Sequence, residues 1–523
     1  MQQTINTNKK DKTLLNPALA KKIDADKNKK NNINNNLVDK PPKSGFSAKN
    51  NNLAKKNNNI SKNNNLAKKN NLVKSTAENL DLILKKEFFN LDISKYNHIF
   101  TKDYIKKTGK VTHIVGLTIE SDGPDISIGN CCKIHTKNNE SVLGEVVGFK
   151  DKKLLLMPYG NIDGIGLGSV VEGYDYPISV KVSKDLLGRV LNGLGEPMDH
   201  KGNFKVEKEM PTTNVPPDPL DRARIKDQIS LGVKAIDGLL SIGKGQRVGI
   251  FAGSGVGKST LMGMIARNTS ASVNVIALIG ERGREVKEFI EKDLGEEGLK
   301  RSVLVIATSD QPALVRLKAA EVATSIAEYF REEGNDVLLL MDSLTRYAMA
   351  QREVGLAIGE PPVSRGYTPS VFAIMPKLLE RAGNSDKGSI TALYTVLVDG
   401  DDMSEPVTDT ARGILDGHIV LSRKLANKNH YPAIDVLSSV SRVMSDIVTK
   451  EHKNNAFEIK KLMGTYADAE DLINVGAYVA GTNEDIDLAI AKRKDILNFL
   501  TQSTEDKFTL EEVSQIVNSI LGE

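Results

Sequence analysis

The sequence predicts an α/β protein: a parallel-sheet core preceded by an all-β barrel, followed by a small helical domain, and carrying a disordered N-terminal tail. Beyond a proline-rich stretch near residue 215, apolar strands alternate with helical patterns, the grammar of a parallel α/β sheet. Ahead of that stretch, residues 109–180 hold short β-rich runs punctuated by Gly and Asp, as a small barrel would. From about Lys450 the apolar spacing becomes helical.

A chain of 523 residues is too long for one typical domain and long enough for about three. The composition divides it into a tail at 1–75, a connector with a helix at 76–106, the barrel at 107–180, the core at 181–448 and the helical domain at 449–523. The tail holds 17 Lys and four Asp without Arg, Glu or Tyr, so it carries +13 while the whole chain carries +4. The remainder is therefore acidic, about −9 by difference. Asn and Lys dominate the tail, and Asn-Asn-Asn-Leu-Ala-Lys-Lys occurs at 50–56 and again at 63–69. Such a segment buries too little apolar surface to offset its conformational entropy, so disorder is expected. It lacks the interleaved aromatics and arginines of nucleic-acid contacts, and no specific nucleic-acid partner is expected.

Leu80, Leu82, Ile83, Leu84, Phe88 and Phe89 suggest a short amphipathic helix. In the barrel region, Thr112–Leu117 and Ser141–Val147 read as strands. The only cysteines, Cys131 and Cys132, are adjacent, which excludes a disulfide framework and a Cys-type zinc site and suggests small buried residues on a strand. No run of 18 apolar residues and no signal-peptide core occurs, so a cytosolic protein is expected. Pro211, Pro216, Pro217 and Pro219 mark a linker, after which Arg247–Ala252, Val273–Ile279, Val303–Ala307 and Val337–Met341 read as strands. Glu484–Leu500 and Thr509–Ile520 read as helices of the C-terminal domain.

The most specific signal is Ala252-Gly253-Ser254-Gly255-Val256-Gly257-Lys258-Ser259, followed by Thr260, between a strand and a helical run. In a P-loop the glycines let successive N–H groups curl round a phosphate, and the helix N-terminus adds its dipole. Lys258 would reach the β- and γ-phosphates and the Ser259 hydroxyl would ligate Mg²⁺. The first position is Ala252 where the strict pattern has Gly. About 85 residues on, Asp336–Asp342 is an apolar strand ending in a carboxylate. An Asp at the tip of an adjacent parallel strand is where an Mg²⁺-side acceptor belongs, so Asp342 is the expected second metal-site residue.

Hydrolysis also needs a group that orients and deprotonates water beside the γ-phosphate. Glu281, in Ile279-Gly280-Glu281-Arg282-Gly283-Arg284-Glu285, follows an apolar strand and so falls at the carboxyl edge of the sheet, where ligands of such sheets bind. Glu281 is the expected base. Glu285 sits where it would cap the following helix or add a carboxylate to the metal site.

These residues, with Asp342-Ser343-Leu344-Thr345-Arg346-Tyr347 and Pro432-Ala433-Ile434-Asp435-Val436-Leu437-Ser438-Ser439-Val440-Ser441-Arg442, resemble the catalytic-head ATPase family that includes rotary ATP synthases and type III export ATPases. The similarity runs from about residue 95 to the C-terminus. It implies a RecA-type P-loop core, ATP and Mg²⁺ as ligands, Glu281 as catalytic glutamate, Arg282 as a γ-phosphate contact and Tyr431 as the aromatic stacked on adenine. It also implies that Arg442 acts in a neighbouring subunit's site, where a cation arriving in trans neutralises charge on the transferred phosphoryl group. A ring follows, a homohexamer by resemblance.

Gly359-Glu360-Pro361-Pro362-Val363-Ser364-Arg365-Gly366-Tyr367-Thr368-Pro369-Ser370-Val371-Phe372 resembles the export ATPases, and Leu155-Leu156-Met157-Pro158-Tyr159-Gly160 is similar to the flagellar ones. That branch implies a stator-like regulatory protein at the helix near 80–89, membrane proteins of the export gate, and export chaperones with their cargo. It also implies a place at the inner face of the bacterial cytoplasmic membrane. An injectisome ATPase and a rotary-synthase catalytic subunit share the chemistry; the Pro-Pro-Val-Ser-Arg-Gly-Tyr-Thr-Pro segment argues against the synthase. Glu281 argues against a non-catalytic ring subunit. A barrel mixed in charge and poor in aromatics argues against an RNA translocase.

Overall fold

A computed structural model describes residues 106–398, 400 and 402–522. The tail and the helix expected near 80–89 lie outside the described residues. Six strands form the first unit: β1 (Lys107–Val115), β2 (Thr118–Asp122), β3 (Cys131–His135), β4 (Ser141–Lys150), β5 (Lys153–Pro158) and β6 (Val170–Gly173). They close in the order β1-β2-β5-β4-β3-β6, with β6 pairing back onto β1. The run expected to continue to Leu117 ends at Val115, because Gly116 at φ 56 turns the chain into β2.

Period-2 alternation gives the barrel two useful faces. Val111, Ile119, Cys132, Ile134, Leu154 and Leu156 fill its interior, while Cys131, Met157 and Tyr159 join the core cluster of the α/β domain. This two-sided burial explains why Leu154–Met157 is apolar without interruption. A buried ion pair spans the same contact, with Lys318 Nζ 3.0 Å from Glu145 Oε2, and the Tyr159 hydroxyl donates to Glu145 as well.

The central sheet contains β7 (Val190–Asn192), β8 (Arg247–Ala252), β9 (Val273–Ile279), β10 (Ser302–Ala307), β11 (Asp336–Asp342), β12 (Ser389–Leu397), β13 (Gly417–Leu421) and β14 (Ile434–Ser441). Their order is β14-β13-β8-β12-β11-β9-β10-β7, and every neighbouring pair is parallel except β13 with β14. Two departures from expectation matter. The edge strand β7 comes from before the proline stretch. The Asp342 strand is also not adjacent to the P-loop strand, because β12, which arrives later in the chain, is inserted between them.

Alternation again sets the layers. Val273, Val275, Ala277 and Ile279 pack with Ala319, Val322 and Ala323 of the helix Ala313–Glu332. Ile276 and Leu278 face the other way, with Leu261, Met262 and Ile265 of α1 (Lys258–Asn268). A strand buried on both faces is apolar nearly throughout, as β9 is apart from Asn274, whose buried Nδ2 donates to the Ala266 carbonyl at 2.9 Å. The C-terminal helices run over Lys450–Asn474, Glu484–Leu500 and Leu510–Leu521. The last begins one residue later than expected because Thr509 is its cap, in a capping box with Glu512.

Arg381 ties the proline stretch to this core. Its Nε and Nη2 each lie 2.8 Å from a Glu328 carboxylate oxygen, and Nη1 donates to the Thr212 carbonyl at 2.7 Å. Both side chains are buried. Arg381→Ala strands the Glu328 charge and is expected to cost about 3–5 kcal/mol in urea unfolding. A loss under about 1 kcal/mol would contradict this role.

Candidate active site

The glycine loop lies where β8 ends and α1 begins. Gly255 and Gly257 adopt φ of 77° and 89°, a region that side chains rarely enter, and Gly257 precedes the first helical residue, Lys258. The Val256 side chain is buried in the core below and anchors the loop. Gly253, Ser254, Gly255, Gly257, Lys258, Ser259 and Thr260 line a cleft of about 550 Å³. The backbone of a helix start and a lysine facing one cleft suit an anion.

Parallel pairing sets Leu278 against Asp342, so Glu281 and Asp342 share one sheet edge. Lys258 Nζ lies 2.5 Å from Asp342 Oδ1 and 3.6 Å from Glu281 Oε1. The interposed strand contributes Thr395, whose hydroxyl donates to Asp342 Oδ1 at 2.7 Å. It also contributes the Leu397 N–H, which donates to Thr345 Oγ1 at 2.8 Å. Burial, then the neighbouring Asp342, pushes the Glu281 carboxyl up to about 7 against the opposing pull of Lys258. Arg282 is the N-cap residue of the helix Gly283–Glu288, and Glu285 sits in its first turn. They lie 3.4 Å apart on the cleft wall.

The structure adds residues that the sequence motifs did not single out. Arg346 lines the cleft and packs over Gly280, where a Cβ would lie 2.9 Å from Arg346 Cγ. Its Nε is buried without a hydrogen-bond partner among the described residues. Its place four residues after Asp342, on the first turn of the helix Leu344–Ala357, is a signal that could have found it. Ser309 also lines the cleft, and its N–H donates to the Glu281 carbonyl at 3.1 Å.

Tyr431 lines a second cavity, of about 490 Å³, which shares Gly255, Gly257 and Thr260 with the cleft. Gln502, Ser503 and Thr504 of the helical domain form part of its wall, and the Gln502 N–H donates to the Tyr431 carbonyl at 3.0 Å. Arg442 is not brought to this cleft. It follows β14, and its Nη2 donates to the Arg412 carbonyl at 3.2 Å.

Among the described residues no group of three or more His, Cys, Asp or Glu could hold a metal ion. Mg²⁺ does not require one, since it commonly takes one or two protein oxygens together with waters and substrate phosphates. The Ser259 hydroxyl and the Asp342 carboxylate fit that donor set. Glu285 is a further carboxylate on the same cleft.

Three family models match the chain. The nucleotide-binding domain of the ATP synthase alpha/beta family matches residues 232–441, the beta-barrel domain of that family 111–174, and the T3SS EscN ATPase C-terminal domain 448–518. The flagellum-specific ATP synthase of Bacillus subtilis is 56% identical over 80% of this chain and 96% of its own. The type 3 secretion system ATPase of Xanthomonas euvesicatoria is 50% identical over 79% and 94%. The assembled ATPase EscN of enteropathogenic E. coli superposes with a TM-score of 0.76 at 48% identity, covering 79% of this chain and all of that one. EscN has also been solved with its central stalk EscO, at a TM-score of 0.74, 48% identity and the same coverage. This chain therefore belongs to the ATP synthase alpha/beta family, within the group formed by flagellum-specific ATP synthases and type III secretion ATPases.

Proposed function

We propose that this protein hydrolyses ATP in a homohexameric ring to power flagellar type III protein export. The observation that carries the chemistry is the convergence of Lys258, Asp342 and Glu281 at one sheet edge beside the glycine loop. In this reading the loop N–H groups and Lys258 hold the β- and γ-phosphates. Bound Mg²⁺, held by Ser259 and Asp342, would neutralise phosphate charge. Glu281 accepts a proton from the attacking water, and Glu285 and Arg282 shape the wall beside it. Arg346 adds a cation from the same chain, which suits an anion placed over Gly280. Arg442 does not line its own chain's cleft and is supplied to a neighbour's.

Tyr431 stacks on the base. Tyr431→Ala is expected to raise KM for ATP by about tenfold, the worth of one aromatic contact, with kcat nearly unchanged. A fall in kcat with unaltered KM would remove that assignment.

The export use is supported by the Bacillus subtilis relative and by the segments Gly359–Phe372 and Leu155–Gly160. The central stalk seen with EscN supports a stalk-like regulatory partner. Docking of a stator-like protein at residues 80–89, contacts with gate membrane proteins, and chaperone release with cargo unfolding belong to the same reading. So does a cytoplasmic position peripheral to the membrane; no helix among the described residues is long and apolar enough to cross one. Steady-state ATPase rate against protein concentration, with mass photometry on the same samples, tests the ring. The rate per subunit should rise as a six-fold species forms, and a constant rate across a monomeric range would contradict it. Expression in Bacillus subtilis lacking its own flagellum-specific ATP synthase tests export: restored filament assembly is expected.

A further inference from the structure

We infer that Thr395 is a positioning residue for the cation: its hydroxyl holds Asp342 in place once Lys258 has been given to the phosphates. The inference rests on the proposed function above and deepens its metal site. The Asp342 side chain accepts two hydrogen bonds among the described residues, and both fall on one oxygen. Lys258 Nζ lies 2.5 Å from Oδ1, and the Thr395 hydroxyl lies 2.7 Å from the same atom. Oδ2 accepts no hydrogen bond among the described residues, so it is the oxygen left for a cation or a cation-bound water.

The two donors are held in different ways. Lys258 carries its ammonium on a flexible aliphatic stem, and that ammonium lies 3.6 Å from Glu281 Oε1 as well. An anion in the cleft competes for it, since the lysine of a phosphate loop reaches the β- and γ-phosphates. Thr395 has no such freedom. It belongs to β12, between the P-loop strand and the Asp342 strand, and pairs with Ile250 on one side while its neighbour Tyr394 pairs with Met341 on the other. It is fully buried, and its branched side chain is stiff at χ1. Two residues on, the Leu397 N–H donates to Thr345 Oγ1, which ties the end of β12 to the helix that follows Asp342.

A buried hydroxyl is costly unless it is hydrogen-bonded. The acceptors beside this one are Asp342 Oδ1 and, at 3.4 Å, the Met341 carbonyl. The bond to the carboxylate is the shorter and is charge-assisted. When Lys258 turns to phosphate, that bond is the one that remains on Oδ1. A carboxylate that serves a cation through one oxygen is oriented by a donor on the other.

The test measures binding of a fluorescent, non-hydrolysable ATP analogue to the full-length protein in EDTA and in Mg²⁺. The readout is the gain in affinity that Mg²⁺ confers. Thr395→Val keeps the shape of the side chain and removes the hydroxyl, whereas Thr395→Ser keeps the hydroxyl. Removing a hydrogen bond that orients a metal ligand costs about 10–100-fold in metal affinity, and the gain should shrink by about that factor in Thr395→Val. It should stay within about threefold of the parent's in Thr395→Ser, which still donates. Affinity in EDTA should be the same for all three proteins. An undiminished gain in Thr395→Val, or an equal loss in Thr395→Ser, would overturn the inference. So would a loss in Thr395→Val that is as large in EDTA as in Mg²⁺, because it marks a packing fault. Should Thr395→Val fail to fold, Thr395→Cys takes its place under the same criteria, its thiol being a weak donor. A parent protein that binds the analogue with no gain from Mg²⁺ would refute the metal site of the proposed function, and this inference with it; a loss of the inference alone shows as a gain that Thr395→Val retains.

Discussion

Glu281→Gln is expected to bind nucleotide with near-normal affinity and to hydrolyse it about 10²–10⁴-fold more slowly, the usual worth of a positioned general base. The substitution keeps the shape of the side chain and removes its ability to take a proton. Lys258, 3.6 Å away, keeps its closer partner Asp342, so the phosphate cradle should survive. Nucleotide affinity by fluorescence and phosphate release on the same preparation separate the two effects. Normal turnover would remove Glu281 from the chemistry. Lost affinity with normal turnover at saturation would make it a binding residue instead.

Arg442→Ala is expected to cost about 10³–10⁵ in kcat, the range measured for arginines that stabilise phosphoryl transfer from an adjoining chain. The position of Arg442 makes this informative, since it contacts the Arg412 carbonyl and does not line its own chain's cleft. Nucleotide affinity of the isolated subunit should therefore be unaltered, and six-fold particles should still form. Full activity in rings of this variant would exclude a trans role.

The fold was largely legible because two periodicities were strong. The strands β8 and β9 and the helix Glu484–Leu500 appear with the bounds that the apolar spacing indicates. The strand–glycine loop–helix junction at 252–258 was equally legible, since its glycines and lysine are local in sequence. What escaped was long-range. β12 lies between the P-loop strand and the Asp342 strand, an order that hydrophobic periodicity does not encode. With it went Thr395, an ordinary strand residue until its hydroxyl is found on Asp342. Gln502–Thr504 escaped for a related reason. They lie some 70 residues beyond Tyr431 in a helix-rich segment, and only packing of the helical domain brings them to the cavity that Tyr431 lines. Arg346 was visible as part of a motif, but its unpartnered guanidinium nitrogen is a property of the folded chain.

The central claim is that one catalytic site is completed by two chains, and mixing the two variants tests it most directly. Glu281→Gln chains retain Arg442, and Arg442→Ala chains retain Glu281. Equal amounts combined below the concentration of ring formation and then concentrated should assemble at random. About one quarter of the head-to-tail interfaces would then pair an intact Glu281 with an intact Arg442. ATP hydrolysis should reappear at roughly that fraction of the wild-type rate, although each parent alone is nearly inactive. A mixture that stays at the average of its parents, in particles confirmed to be mixed rings, would contradict the shared site.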